Sequence, residues 1–248
     1  MGRLKRYILR QQFRPGVLGL LVNPFYFARK ELLRAISRFS NQIQGETLDV
    51  GCGHKPYEHL FHAARYIGLE IDTPHNRISK RADFYYDGGA FPFIDRRFDS
   101  VICNEVLEHV FNPDDFLAEI RRVLKHEGRL LLTVPFVWDE HEQPYDYARY
   151  SSYGLHHLLK KHGFEVIEHA KTVADGRIIF QLVNGMIYKK VNSGNPYLDL
   201  IMIAIFIAPF NVLGALFSPI LPSSEDLYLD NVILARKTGE IGSYISSR

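Results

Sequence analysis

The sequence predicts an α/β fold: a mostly parallel sheet with helices on both faces. Three observations predict it. Between residues 45 and 170, apolar runs of strand length alternate with helical segments. A glycine turn, Gly51-Cys52-Gly53, closes the first run. Acids stand at the ends of the next two, Glu70 and Asp87. Strands joined through helices pair in parallel, because the crossover returns the chain in the same sense. The 248 residues suffice for one domain with a sizeable core, and two would be tight. Hydrophobic residues make up 46% and charged residues 23%, which is ordinary for a globular protein.

The elements follow in order. Residues 26–40 read as a helix, since Phe27, Leu32, Leu33, Ile36 and Phe39 fall near a 3.6 period. Thr47 to Val50 is a first buried strand, and a short helix is expected around Glu58 to Ala64. Tyr66 to Ile71, Ala82 to Tyr86 and Phe98 to Asn104 are the next three strands. Pro113 to Lys125 is a helix with Pro113 in its first turn and Phe116, Leu117, Ile120, Val123 and Leu124 as its inner stripe. Gly128 is expected to stop it, before a strand at Arg129 to Val134. A helix at Tyr153 to His162 and a strand from Phe164 complete the alternation. Beyond it come a helix at Arg177 to Lys190, an uncharged run at Leu200 to Leu221, and a last strand at Tyr228 to Lys237.

Charge divides the chain further. The first 40 residues carry Arg3, Lys5, Arg6, Arg10, Arg14, Arg29, Lys30, Arg34 and Arg38 against Glu31 alone, mixed with apolar and aromatic side chains. The reading is a helical arm over 1–44, a sheet domain over 45–237 with an apolar helical insertion at 175–224, and a loose tail over 238–248. The arm lacks the features of a signal peptide: its apolar run breaks at Asn23-Pro24 and no small-residue cleavage site follows. Two readings of it stay open, a solvated basic helix beside the domain or an arm on an anionic membrane surface. A net charge of +2 shows no nucleic-acid bias, and the basic residues cluster with apolar ones rather than forming a separate stripe. A nucleic-acid partner is therefore not expected. Cys52 and Cys103 do not form a disulfide framework, which fits a reducing cytoplasm.

A Gly-x-Gly turn alone is a weak signal. It lets the chain turn sharply and a ligand approach the backbone, but strand-to-helix turns without ligands are common. A helix N-terminus after it would offer free N–H groups. Glu70 stands close to the distance expected of a ribose-binding acid, and Asp87 could accept from an adenine amino group. Each acid alone reads as an exposed loop acid. Three such features in order at successive strand ends point to a cofactor.

The stretches that carry this pattern resemble the class I S-adenosylmethionine-dependent methyltransferases, in the group that includes quinone-biosynthesis enzymes. They are Leu48-Asp49-Val50-Gly51-Cys52-Gly53; Tyr66-Ile67-Gly68-Leu69-Glu70; Asp87 through Phe91-Pro92-Phe93 to Phe98-Asp99; and Asn104-Glu105-Val106-Leu107-Glu108-His109-Val110. The resemblance covers roughly residues 45–170. It implies a Rossmann-like, doubly wound sheet of seven strands and S-adenosyl-L-methionine as cofactor. By position, it implies that Asp49, Gly51, Cys52 and Gly53 surround the methionine part. Glu70 would hold the ribose, Ile71 would pack on the adenine and Asp87 would face its edge. Asn104 and Glu105 would line the sulfonium side. Two departures stand out. His54-Lys55-Pro56 follows Gly53, which puts a cation near a cationic ligand, and Asp72 competes with Glu70. A nicotinamide dinucleotide would need a third glycine, which His54-Lys55-Pro56 does not supply.

Methyl transfer from an activated sulfonium needs position and a suitable electrostatic setting, and a hydroxyl acceptor needs a base as well. His109 and His141 are the candidate catalytic bases, and Tyr145, Asp146, Arg149 and Tyr150 the candidate substrate-side residues. The competing readings stay open: His109 supporting the next helix, and His141 with its acids on a solvated face. The spacing of His141 and its acids matches no tight metal pattern, so no metal is expected.

Leu200 to Leu221 holds 22 uncharged residues, long enough for a span of about 30 Å. Pro209, Asn211, Gly214 and Pro219 interrupt it, so a bent helical hairpin is expected. It would pack on its own core, form a homodimer face or dip into a bilayer interface. The resemblance implies a methyltransferase, with transfer to oxygen of a small-molecule, glycan or lipid-linked acceptor as the expectation; the arm and the apolar run add the expectation of a cytoplasmic protein peripheral on the inner membrane surface. The alternative is a membrane-associated S-adenosylmethionine-binding protein without turnover.

Overall fold

A computed structural model of the chain describes residues 10–239. Arg3, Lys5 and Arg6 of the basic arm, and the tail beyond 239, lie outside the described residues. The rest divides into two compact units. One holds residues 36–136, 140–170 and 231–239, and the other holds 10–35, 137–139 and 171–230. This division differs from the expected arm and domain, because the early residues join the late insertion in one unit.

The sheet has seven strands: β1 (Gln44–Val50), β2 (His62–Ile71), β3 (Phe84–Tyr86), β4 (Phe98–Asn104), β5 (Leu124–Pro135), β6 (Phe164–Lys171) and β7 (Asp230–Lys237). Their order is β3-β2-β1-β4-β5-β7-β6, with helices on both faces. β3 to β5 pair in parallel. β7 runs antiparallel to β6: Thr238 N–H donates to Gly163 O at one end, and Leu229 N–H to Thr172 O at the other. The mostly parallel doubly wound sheet expected from the alternation is present. β1 lies centrally, and the order of connection reverses beside it, so the chain diverges above its C-terminal end. Open α/β sheets place ligands at such a point.

The core explains the strands. Leu48, Val50, Ile67, Leu69, Val101, Cys103, Leu130 and Leu132 form one buried cluster with Leu117, Ile120 and Val123 of the helix α3 (Pro113–Val123). The predicted inner stripe of that helix is the face that packs. Burying each such side chain stabilises the fold by about 1.5–3 kcal/mol. Leu155 and Leu159 of α4 (Ser152–Lys161) join the cluster, and the Ser151 hydroxyl caps that helix by accepting from Gly154 N–H.

Two local expectations are corrected. No α-helix follows the glycine turn. Residues 51–61 form a short connection with a single 3₁₀ turn, Glu58–Leu60, and β2 begins at His62. Pro56, with Tyr57 and Phe61 buried, turns the chain inward instead of continuing it as a helix. Helix α3 ends at Val123, not at Gly128. Leu124 already pairs with Phe98, and Gly128 sits inside β5 where the register shifts before Arg129 pairs with Ser100.

The second unit contains most of α1 (Tyr26–Phe39), all of α5 (Arg177–Val191), and the insertion helices α6 (Pro196–Phe206) and α7 (Ala208–Phe217). α2 (Pro74–Ser79) belongs to the first unit. Buried amides hold the second together. Gln181 Oε1 accepts from Phe27 and Ala28 N–H while its Nε2 donates to Pro24 O. Asn211 Nδ2 donates to Leu20 O and Asn23 O, and its Oδ1 accepts from Asn184. These bonds satisfy the backbone of the bend at Asn23-Pro24, which explains why the early chain joins the insertion. The insertion is a bent pair rather than a hairpin: Pro196–Phe206 and Ala208–Ile220 meet at 41°. Among the described residues no single helix is long and apolar enough to cross a membrane.

Candidate active site

The site is built from the C-terminal ends of β1, β2, β3 and β4. Gly51 has φ +69°, and a Cβ there would come within 2.4 Å of Val106 Cγ2. Only glycine fits this turn. Gly53 has φ +52° and nothing within 4 Å of where its Cβ would be, so a ligand can lie against the backbone.

The turn's N–H groups are already engaged. Gly51 and Cys52 N–H donate to Leu69 O at 2.9 and 3.2 Å, and Gly53 N–H donates to Glu70 Oε2 at 3.0 Å. The loop therefore presents carboxylates rather than amide donors. That setting disfavours a pyrophosphate and suits a cationic ligand.

Glu70 also accepts from Ile71 N–H through Oε1 at 3.1 Å. Its carboxylate is thus aimed at the turn, with lone pairs left for further donors. Asp72, the rival, is exposed and held by Arg77 in a two-point pair at 2.6 and 2.7 Å, which lowers its pKa. The structure places Glu70, not Asp72, beside the glycines.

Asp49 lies buried below the turn, where it accepts from Tyr66 Oη–H at 2.7 Å. Burial pushes its pKa up to about 7, and the Tyr66 hydroxyl and Lys55 offset only part of that. Lys55 does not reach into the turn as a free cation. Its Nζ bonds Asp83 at 2.6 Å and its side chain lies across Gly68. Cys52 is a buried free thiol, its pKa pushed up to about 12 by burial.

Beyond Glu70 a cleft of 760 Å³ opens. Ile71, Tyr86 and Asp87 line one side, and His109, Phe111, Tyr145 and Tyr147 line another. Asp87 is exposed and its Oδ1 accepts from Gly89 N–H. Arg122 of α3 holds the following turn by donating to Phe91 O and Phe93 O. Asn104 and Glu105 meet at Thr133: the Thr133 hydroxyl lies 2.8 Å from Asn104 Oδ1 and 2.7 Å from Glu105 Oε1, and Glu105 N–H donates to the same hydroxyl. Glu105 has φ +53°, a strained conformation for a non-glycine residue, of the kind that recurs at functional sites.

The two candidate histidines come together although 32 positions separate them. Their ring centroids are 4.8 Å apart, edge to face. The loop carrying His141 is strapped down by Tyr147 and Ala148 N–H donating to Glu108 O. His109 Nδ1 is 2.7 Å from Tyr145 O.

The structure places three of the four candidate substrate-side residues off the cleft wall. Asp146 and Arg149 pair with each other at 2.6 and 2.7 Å, and the guanidinium holds Asp146 well below the usual carboxylate range. Neither lines the cleft. Tyr150 packs on the hydrophobic core, and its N–H donates to Pro135 O. All three shape the loop, which leaves Tyr145 on the cleft wall. Sequence reasoning missed Tyr66, Thr133, Tyr147 and Glu108. Only Glu108 left a trace, as an acid directly before His109 in an otherwise apolar stretch.

Comparison with known proteins accords with this geometry. A family model described as a methyltransferase domain matches residues 25–169, more than half of the chain. An uncharacterized protein of Methanocaldococcus jannaschii is 34% identical over 126 residues, 48% of this chain and 54% of its own length. The "Probable S-adenosylmethionine-dependent methyltransferase" of Mycolicibacterium smegmatis is 29% identical over 162 residues, 60% of this chain and 62% of its own length. The chain thus spans between half and two-thirds of the length of these two relatives. Phosphoethanolamine N-methyltransferase 2 of Haemonchus contortus, solved with S-adenosyl-L-methionine, shares the fold with a TM-score of 0.53. It is 18% identical, over 93% of this chain and 56% of that one. A glycine turn at the end of β1, an acid at the end of β2 and a matching family model across both lead to one conclusion: the chain belongs to the methyltransferase domain family, on the class I, S-adenosylmethionine-dependent fold.

Proposed function

We propose that this chain transfers a methyl group from S-adenosylmethionine to an oxygen of a small-molecule, glycan or lipid-linked acceptor. The observation that carries the reading is the pairing of an open Gly53 with the Glu70 carboxylate bonded to its amide. Ribose hydroxyls would donate to Glu70. Ile71 and Tyr86 would flank the adenine, and Asp87 would face its amino group. Asp49, Glu70 and Glu105 give the donor end a negative field, which suits a sulfonium. The acceptor would enter from the side of the cleft that holds His109, Tyr145 and Tyr147. Catalysis here is mainly positional, since the sulfonium is already activated.

Calorimetry with S-adenosylmethionine and S-adenosylhomocysteine tests the donor half. Wild-type protein binds both, and Glu70→Ala weakens both at least about tenfold by removing a charged hydrogen-bond acceptor. No binding by wild type rejects the reading. Radiolabelled methyl donor with cell extract, split into lipid, glycan and protein fractions, tests the acceptor half. Binding without transfer to any fraction supports the alternative of a binding protein without turnover.

We also propose that the unit of residues 10–35 and 171–230 meets a membrane surface. Ile201, Ile205, Leu216 and Ile220 on and after α6 and α7 are 54–78% exposed, and Val17 is 81% exposed. Arg10, Arg14, Arg29 and Lys30 stand in the same unit. Exposed apolar side chains and basic residues within one unit suit an anionic interface. Flotation with anionic vesicles is the test. If the full chain stays in the protein fraction, the membrane proposal fails; a homodimer in sedimentation would then account for the apolar surface.

A further inference from the structure

The segment after β4 and the loop after β5 bring together three metal-binding side chains that no linear spacing revealed. Glu108, His109 and His141 each offer one ligand atom, and these atoms all lie within 4.8 Å of one another. Glu108 is fully buried, while His109 and His141 are 21% and 32% exposed at the side chain. His109 Nε2 is 3.7 Å from Glu108 Oε1. Ligand atoms about 2.1 Å from one tetrahedral cation stand about 3.4 Å apart, so the most widely spaced ligand atoms need to draw in by up to about 1.4 Å.

The surroundings of both imidazoles fit the same role. His109 Nδ1 faces the backbone carbonyl of Tyr145 at 2.7 Å. His141 Nδ1 faces Asp146 Oδ2 at 3.3 Å, and Asp146 is itself fixed in place by Arg149, whose Nη1 lies 2.6 Å from Asp146 Oδ1. A neutral imidazole that donates through one nitrogen presents the other as a lone pair. Metal-ligating histidines are oriented in this manner, by a carbonyl or carboxylate behind them. Here one ring has the carbonyl and the other the carboxylate. This gives the Asp146–Arg149 pair a positioning role that the cleft lining alone does not reveal. A buried carboxylate beside them supplies the negative charge a cation needs.

We propose that Glu108, His109 and His141 bind a divalent first-row transition cation such as Mn²⁺, Co²⁺ or Zn²⁺, with open positions toward the cleft for an oxygen of the acceptor. Two nitrogens and one carboxylate oxygen favour these ions over Mg²⁺, which prefers oxygen ligands and octahedral geometry. His109 lines the cleft, so a bound cation would stand where the acceptor enters. The imidazole lone pairs then serve as ligands rather than as bases; the cation would orient the acceptor hydroxyl and lower its pKa, the proton leaving to water in the open cleft as the oxygen takes the methyl group and the sulfonium carbon–sulfur bond breaks. That last role rests on the methyl-transfer reading; the binding itself does not.

The test uses the full chain, treated with a chelator and returned to chelator-free buffer. Co²⁺ binding is followed by visible absorption and Mn²⁺ binding by loss of the free-ion electron paramagnetic resonance signal. One equivalent should bind. His141→Ala and His109→Ala should each weaken it at least about tenfold, and Asp146→Asn, which leaves all three ligands in place, should weaken it by a similar or smaller factor. His141 is partly exposed, so its variant checks the site without emptying the core. Absence of binding by wild type, or equal binding by wild type and both histidine variants, overturns the proposal. Calorimetry with S-adenosylhomocysteine on the same metal-free samples separates the two readings: donor binding without metal binding removes the cation alone, and metal binding without donor binding removes the methyl-transfer reading alone.

Discussion

Asp49→Asn should make the protein more stable at high pH and should weaken its hold on the cofactor. The aspartate is buried, and its pKa rises from 3.8 to about 7 chiefly through burial. The folded state therefore retains a proton that the unfolded chain has lost. Between about pH 4 and pH 7 the folded state binds more protons, so stability falls as pH rises through that window and stays low above it. A shift of about 3 units corresponds to about 4 kcal/mol at 1.36 kcal/mol per unit, which is an upper figure for the cost of the buried charge. Asparagine keeps an oxygen for the Tyr66 hydroxyl and never ionises. Urea midpoints across the pH range should show a falling curve for wild type and a flatter one for the variant. The two should nearly coincide at about pH 4, and the variant should lead by about 2–4 kcal/mol at about pH 8. A cation beside Asp49 lowers its pKa, so cofactor binding at about pH 6 should release a proton, detected by calorimetry in buffers of different ionisation enthalpy. A pH-independent difference, or a variant less stable at high pH, would refute the reasoning, since either result would mean that the fold stabilises the Asp49 anion.

Other perturbations test separate links. Gly51→Ala combines a positive φ with a contact of 2.4 Å to Val106, so it should cost about 1–3 kcal/mol and displace the turn; an unchanged melting temperature with intact donor binding would show the turn to be tolerant. Leu117→Ala removes a fully buried side chain from the inner stripe of α3 and should cost about 2–5 kcal/mol by denaturation. Asn211→Ala strips donors from Leu20 O and Asn23 O and should cost about 1–3 kcal/mol while speeding proteolysis near residues 20–24; an unaltered cleavage pattern would argue against its anchoring role.

Much of the sheet was legible because its signals are local. Apolar runs, a glycine turn and helical periodicity depend on side chains a few positions apart, so β4 and the inner stripe of α3 were readable directly. The missed boundaries share a cause. Around Glu58 and at Lys125–Gly128, packing of neighbouring strands overrode local helical preference, and β2 and β5 begin earlier than their apolar runs suggest. Glu70 was legible over Asp72 only through its position in the pattern; Arg77, which takes Asp72 out of contention, is a neighbour through the turn into α2.

By itself the sequence determined the parallel α/β sheet, the glycine turn and the order of acids along successive strand ends, because these are written in short-range spacing. Tertiary structure alone decided which groups meet around the turn and the cleft. It engaged the turn's amides, buried Asp49, turned Asp146 and Arg149 onto each other and brought His141 against His109 and Glu108. Such meetings depend on how separate strands are placed beside one another, and no spacing along the chain encodes the few ångströms between their side chains.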